Sequence, residues 1–457
     1  MKFIKTMCAI GVVAASVNAG NVMAKVSPEE AAKLGGSELT PFGGERAGNA
    51  DGTIPEWTGG ISDTEIPAGF KPGQPYIDPY AGDKILFTIT KDNMAQYADK
   101  LSDGQKKMLT TYDSYKINVY PTHRSAKYNE LMIKNANKNA TNAFLVDEGN
   151  GVDGFVGAVP FPLPNGPLEV LWNQIMRDRG ENFKRTIVQV TPTSGGTFSP
   201  IQFSEEFSPR YLLSDVAKNK DKGVYFYFKQ QVTAPARLAG NVLLVHETVN
   251  QVKDPRRAWI YNAGQRRVRR APQVAYDGPG TASDGLRTTD NFDGFNGAPD
   301  RYNWVLDGKQ ELYIPYNSYE LDSKELKYKD IVGAGHLNPE YVRTELHRVW
   351  KVTATLKEGK RHIYSKRVMY FDEDTWSMVA ADMFDGRGEL WRFQNVHSKA
   401  YYDTHLYGPT IETVHDLISG RYISGGLANE LPVRYDFTKT FKTKDFTPAA
   451  LRRSGRR

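Results

Sequence analysis

The chain has 457 residues, 40% hydrophobic and 25% charged, with a mean hydropathy of -0.53. Those are the values of an ordinary globular protein, and they exclude a disordered chain, a collagen-like one and a protein with many membrane spans. Lys+Arg number 59 against 53 Asp+Glu, a net charge of +6 that is too mild to argue for nucleic acid.

Residues 1–24 read as a secretory signal peptide. Lys2 and Lys5 precede an apolar run over residues 7–17 that is too short for a stable bilayer anchor. Small-residue cleavage sites end at Ala19 and Ala24. The second is preferred, because Lys25 then opens a polar mature chain. The expected location is the periplasm, either free or peripheral to the outer membrane. The only cysteine, Cys8, falls inside the signal, so disulfides, zinc-thiolate sites and thiol nucleophiles are excluded from the mature protein. No later segment approaches the roughly 20 continuous apolar residues of a transmembrane helix.

Residues 25–165 are predicted to form a loop-rich N-terminal extension with short helices. A helix is expected at 28–34. Residues 39–60 then read Leu-Thr-Pro-Phe-Gly-Gly-Glu-Arg-Ala-Gly-Asn-Ala-Asp-Gly-Thr-Ile-Pro-Glu-Trp-Thr-Gly-Gly, a density of turn formers that gives an ordered strap. Phe42 and Trp57 favour a packed strap over a linker. Two helices are predicted within 91–112, capped by Asp92 and Asp103. Residues 166–457 form the second predicted unit. It opens on a helix with Pro167 in its first turn, Leu168, Leu171, Trp172, Ile175 and Met176 on one side, and Gly180 as its stop.

From Thr186 the period changes to two. Along residues 224–232, Val224, Phe226, Phe228 and Val232 share a face. Residues 242–252 make another strand, and 258–262 with 266–270 make a hairpin turning at Ala263-Gly264. Residues 343–356 read as the longest strand. Strands at 363–371, 377–385 and 389–396 follow as a meander. Antiparallel strands with one apolar face need a cover, and the helix from Pro167 supplies it. The fold class is mostly β with α (α+β): a strongly curved antiparallel sheet, or incomplete barrel, wrapped on helices.

No phosphate-binding glycine loop, nucleophile elbow or H-E-x-x-H motif occurs. His246 and Glu247 are adjacent in a strand and point to opposite faces. The eight histidines show no close metal spacing, and Asn49, Asp51 and Gly52 lack the downstream carboxylate of a calcium loop. Catalytic residues, metal and cofactor are therefore all expected to be absent. A carboxylate pair could still come from Glu311, Glu345, Asp382 or Asp385 on scattered strands, although charges on solvated faces and turns are the preferred reading of them. Asp372-Glu373-Asp374 reads as a hairpin turn.

Two sets stand out. Trp172, Phe226, Phe228, Trp350, Val352, Trp391 and Phe393 are the candidate lining of a hydrophobic cavity between sheet and helix, or alternatively plain core. Arg256, Arg257, Arg266, Arg267, Arg269 and Arg270 crowd around Trp259 and Tyr261 in one hairpin. They suit an anionic head group or an acidic partner, or an edge strand charged against pairing. A second basic tract, 452–457, ends the chain.

Three strings carry a family resemblance: residues 39–60, residues 259–272 (Trp-Ile-Tyr-Asn-Ala-Gly-Gln-Arg-Arg-Val-Arg-Arg-Ala-Pro), and residues 445–453 (Asp-Phe-Thr-Pro-Ala-Ala-Leu-Arg-Arg). Together they resemble domain-of-unknown-function family 1329, exported proteins of proteobacteria similar to outer-membrane lipoprotein-sorting proteins. The resemblance implies a half-barrel of the LolA and LolB type with a hydrophobic cavity. It also implies an envelope role beside outer-membrane channels or inner-membrane exporters. The chain is about twice the size of those carriers. The expected function is a periplasmic carrier or accessory protein for a hydrophobic or lipid-like ligand. The alternatives are an interaction scaffold docking through the arginine hairpin, or a carboxylate-based hydrolase.

Overall fold

A computed structural model describes residues 26–271, 274–432 and 435–455. The expected signal peptide with its cleavage sites and Cys8 lies outside them, as do Arg456 and Arg457 of the basic tail. No helix among the described residues is long and apolar enough to cross a membrane.

The N-terminal part contributes α1 (Pro28–Ala31), β1 (Phe87–Ile89), α2 (Asp103–Thr111), β2 (Ile117–Val119), α3 (Glu130–Asn142) and the small hairpin of β3 (Phe144–Val146) with β4 (Gly151–Asp153). Helix α1 covers only the first half of the predicted stretch. Ser102, rather than Asp103, caps α2: its hydroxyl accepts from the Gln105 amide while the Gln105 side chain returns to the Ser102 amide. Asp92 caps nothing either, since residues 94–100 form a 3-10 helix behind Asn93. Helix α4 (Pro167–Met176) is buried along nearly its whole length and stops short of Gly180. There Arg177 and Arg179 turn back to ion-pair with Asp293.

The remaining strands are β5 (Phe183–Val190), β6 (Ile201–Pro209), β7 (Val224–Ala234), β8 (Val242–Thr248), β9 (Arg257–Asn262), β10 (Arg267–Arg270), β11 (Tyr302–Pro315), β12 (Thr344–Leu356), β13 (Lys366–Asp372), β14 (Met378–Phe384), β15 (Leu390–Tyr401), β16 (Leu406–Asp416), β17 (Arg421–Leu427) and β18 (Tyr435–Asp436). Helix α5 (Tyr328–Ile331) lies between β11 and β12, and α6 (Pro448–Gly455) ends the described chain. One sheet runs β1-β2-β12-β13-β14-β15-β16-β17-β5-β6-β7-β8-β9-β10, with β11 on β12 and β18 on β5. It is almost wholly antiparallel, strongly bent and unclosed. The meander joins the earlier strands where β17 pairs β5.

Two expectations need correcting. The longest strand is β11, with 14 residues against 13 for β12. Its alternation is interrupted where the register shifts between Leu306 and Gly308, and Gly308 takes a φ of +107° that favours glycine. Val224 does not share a face with Phe226. The β7–β8 register shifts between them, and Val224 joins Tyr227 against the C-terminal segment.

The sheet is covered on both faces. The inner face carries α4 and a strap over residues 276–300. Side chains from the sheet and from α4 seat the strap by its backbone: Gln394 donates to the Asn291 and Gly294 carbonyls, Gln189 to those of Thr281 and Ala282, and Gln174 to that of Asp293. The outer face carries α2, residues 328–337 and α6.

Candidate functional site

The inner face of β5 to β8 is lined with phenylalanine. Phe183, Phe207, Phe228 and Val245 stand opposite one another across four strands, and strand partners share a face. Phe183 stacks on Phe207 with centroids 5.0 Å apart, and Phe207 lies 5.1 Å from Phe226. Phe292 of the strap closes over them, 5.4 Å from Phe228. Two small apolar voids of about 50 and 70 Å³ remain, and Phe226, Phe228 and Phe292 border both.

Ion pairs hold the strap in place. Asp293 accepts from Arg177 Nη2 at 2.5 Å and Arg179 Nε at 2.6 Å. Burial raises its pKa, but the two guanidiniums outweigh that and hold the carboxyl down at about 2. Glu412, near the Gly294 amide, is pushed up by burial and then by the charge of Asp293. Asp290 binds Arg367 at 2.7 Å and His362 at 3.0 Å. Arg256 donates to the Asn296 carbonyl at 2.6 Å.

At one end of this slot lies a cleft of about 880 Å³, formed where residues 72–76, the start of β5, the β15–β16 turn and β18 meet. Tyr76, Lys184, Tyr435 and Phe437 give its walls both aromatic and charged character. Arg185 and Tyr435 line both the cleft and the smaller void behind it. The Arg185 guanidinium donates to Glu205 at 2.5 Å and to the Tyr435 hydroxyl at 2.6 Å, and its carbon lies 5.5 Å from the Phe183 and Tyr435 ring centroids. It thus stands between a vestibule of mixed character and the phenylalanine slot. Asp178, also at the cleft, has its pKa raised by burial to about 6.

Of the seven residues proposed from sequence as a lining, Phe226 and Phe228 border the slot. Val352 and Trp350 lie farther round the inner face, where Trp350 stacks on Trp376 at 6.0 Å. Trp172 is buried in α4 and donates to the Gly149 carbonyl. Trp391 is half-buried beside Tyr364 and bonded to Asp416. Phe393 lies on the outer face against Gly104 of α2, in register with Asp382 and His415. Phe292, Arg185 and Tyr435 complete the site but carry no signal of their own, because each is brought in by pairing distant in sequence.

The acidic candidates are dispersed and none lines the cleft. Glu311 pairs with Lys100 at 3.0 Å, buried Glu345 with Arg343 at 2.5 Å, and Asp385 with Arg387 in a turn. Asp382 accepts from the Ser102 hydroxyl and the Gly104 amide at the start of α2. Asp372, Glu373 and Asp374 do sit at a hairpin turn but are fully buried. His347, Asp372 and Asp374 are the one group among the described residues with ligand atoms mutually close enough for a metal, all within 4.8 Å. Arg124 already grips Asp374 at 2.7 Å, and Arg348 grips Glu373 at 2.6 Å.

The six arginines divide. Arg256 pairs with Glu247 at 2.8 Å and Arg257 with Asp221 at 2.7 Å. Arg266, Arg267, Arg269 and Arg270 are exposed and make no ion pair among the described residues.

An uncharacterized protein of Pseudomonas aeruginosa is 55% identical over 457 residues, covering all of both chains. A solved DUF1329 family protein from Desulfovibrio piger is 17% identical, with a TM-score of 0.41 over 60% of this chain and 92% of its own. A LolA superfamily protein from Nitrosomonas europaea is 11% identical, with a TM-score of 0.36 over 62% and 98%. The model of the family described as protein of unknown function (DUF1329) matches residues 88–452, and the chain belongs to that family.

Proposed function

We propose that this protein binds and carries an amphiphilic, lipid-like molecule and does no chemistry on it. The polar end would occupy the vestibule by Arg185 and Tyr435, and the apolar end would enter between Phe226, Phe228 and Phe292. The observation that carries the reading is the shared wall: one guanidinium borders both an 880 Å³ mixed cleft and an apolar slot. A cleft of that size falls within the usual range for small-molecule sites, roughly 300–1,000 Å³. The voids behind it are too small for an acyl chain, so a long ligand must displace Phe292 and its strap. The expected N-terminal signal and the family membership support a periplasmic setting for such a carrier, where it would serve an exporter or an outer-membrane channel.

The test is native purification, solvent extraction and mass spectrometry, followed by titration of the stripped protein with fluorescent amphiphiles of increasing chain length. Binding should strengthen with chain length, and Phe228→Glu should remove that dependence. A protein that carries no amphiphile and binds none of the series refutes the reading. The scaffold alternative is favoured by a separate observation, the exposed arginines of β10, which make no ion pair among the described residues.

A further inference from the structure

We infer that the β9–β10 hairpin, together with α6, is a docking surface for an anionic phospholipid bilayer. The surface is built at one free end of the sheet. Among the described residues, strand β10 pairs only with β9. Arg266 sits in the turn with a φ of +53°. Arg267 and Arg269 stand opposite Asn262 and Ile260 on one face, and Arg270 stands opposite Trp259 on the other. Helix α6 packs behind β8, β9 and β10, burying Ala450 and Leu451 and leaving Arg452 and Arg453 exposed. The second basic tract of the sequence therefore lies beside the first.

The contrast within one hairpin decides against a merely structural role. Arg256 and Arg257, at its base, are each held by a carboxylate. The four arginines of its turn and second strand have no such partner among the described residues, although this chain pairs most of its interior arginines. Their charge surrounds the hairpin and does not follow a single edge, which fits a field of many phosphates better than one acidic strand. Ile260, directly across from Arg269, is 41% exposed. An exposed apolar side chain on the same face as Arg267 and Arg269 is suited to the head-group boundary of a membrane. Forks of this kind bind phosphate in two-point contacts. The inference does not depend on the cleft, because a scaffold without a ligand would dock in the same way.

The test is co-sedimentation of the processed full-length chain with vesicles of phosphatidylglycerol mixed with phosphatidylcholine, against phosphatidylcholine alone. Wild type should bind only the anionic vesicles and should release as salt is raised. The fourfold Arg→Gln variant at 266, 267, 269 and 270 should lose about 5-fold per arginine, or roughly two to three orders of magnitude in partitioning. Arg361→Gln with Arg387→Gln, on exposed positions elsewhere, should bind as wild type does. Three results overturn the inference: no binding of wild type to anionic vesicles, equal binding by the fourfold variant, or dimerisation of that variant with wild type ignoring both vesicles. The last would mean that the charges only keep the edge strand from pairing. Failure here leaves the amphiphile titration unaffected, so the two proposals fall separately.

Discussion

Replacing Asp293 by Asn tests whether buried charge holds the strap over the phenylalanine slot. The carboxylate bridges two guanidiniums at 2.5 and 2.6 Å, with the Arg177 side chain 3% and the Arg179 side chain 10% exposed. Removing one partner of such a pair costs about 3–5 kcal/mol, because the remaining charge stays buried without compensation. Here Glu412 moderates the cost. It is held up in pKa partly by Asp293, and it already attracts Arg177. Once Asp293 is neutral, Glu412 ionises more readily and takes up part of the pairing. The single variant should therefore lose about 2–3 kcal/mol, and Asp293→Asn with Glu412→Gln more than the sum of the two single changes. Urea unfolding at neutral pH measures this. Because the folded pKa of Asp293 lies below its unfolded value, its contribution is full above about pH 4 and declines as pH falls toward about 2. The variant should consequently differ least from wild type near pH 2. The loosened strap should also admit fluorescent amphiphiles faster. A stability loss below about 0.5 kcal/mol, or a strictly additive double variant, would refute the clamp.

The remaining predictions concern other parts of the molecule. A Cβ on Gly104 would fall 2.1 Å from Phe393 Cδ2 and 2.4 Å from Asp382 Oδ1. Gly104→Ala should therefore cost about 1–3 kcal/mol in denaturant unfolding, while Gly386→Ala, with nothing within 4 Å of its Cβ, should stay within about 0.5. Burial lowers the pKa of His397 to about 4 and of His415 to about 3, so both fold as neutral imidazoles. Their contribution is full above the unfolded value near 6.5 and is lost as pH falls, at about 2 kcal/mol each by pH 5. His415→Gln should flatten the measured dependence of stability on pH between 7 and 5. Arg124 donates to Asp374 and to the Glu45 and Arg46 carbonyls. Arg124→Met should cost about 3–5 kcal/mol and expose residues 45–57 to limited proteolysis before the sheet.

Strand alternation and helix spacing made much of the sheet readable before the structure. Helix α4, the β9–β10 hairpin and the β13–β15 meander all follow from which apolar side chains recur at which interval. Alternation states which side chains share a face, as it did for Phe226 and Phe228, but not what covers that face. The cover is a segment rich in Gly, Asn and Asp with no apolar period, and it is fixed by Asp290, Asp293 and side-chain amides reaching its backbone. Those contacts span more than a hundred positions in places, as between Asn291 and Gln394, and leave no local trace. Phe393 shows the same limit from the other side, since nothing in β15 itself says that α2 packs against that ring. The physical consequence bears on function. A strap held by apolar packing would yield gradually to an oily ligand, whereas one held by Asp293 between two arginines yields only when that pairing is exchanged. Entry to the slot should therefore be slow and sensitive to acid, and exchange rates that stayed constant from pH 7 to pH 3 would show that ligands reach Phe228 by another path.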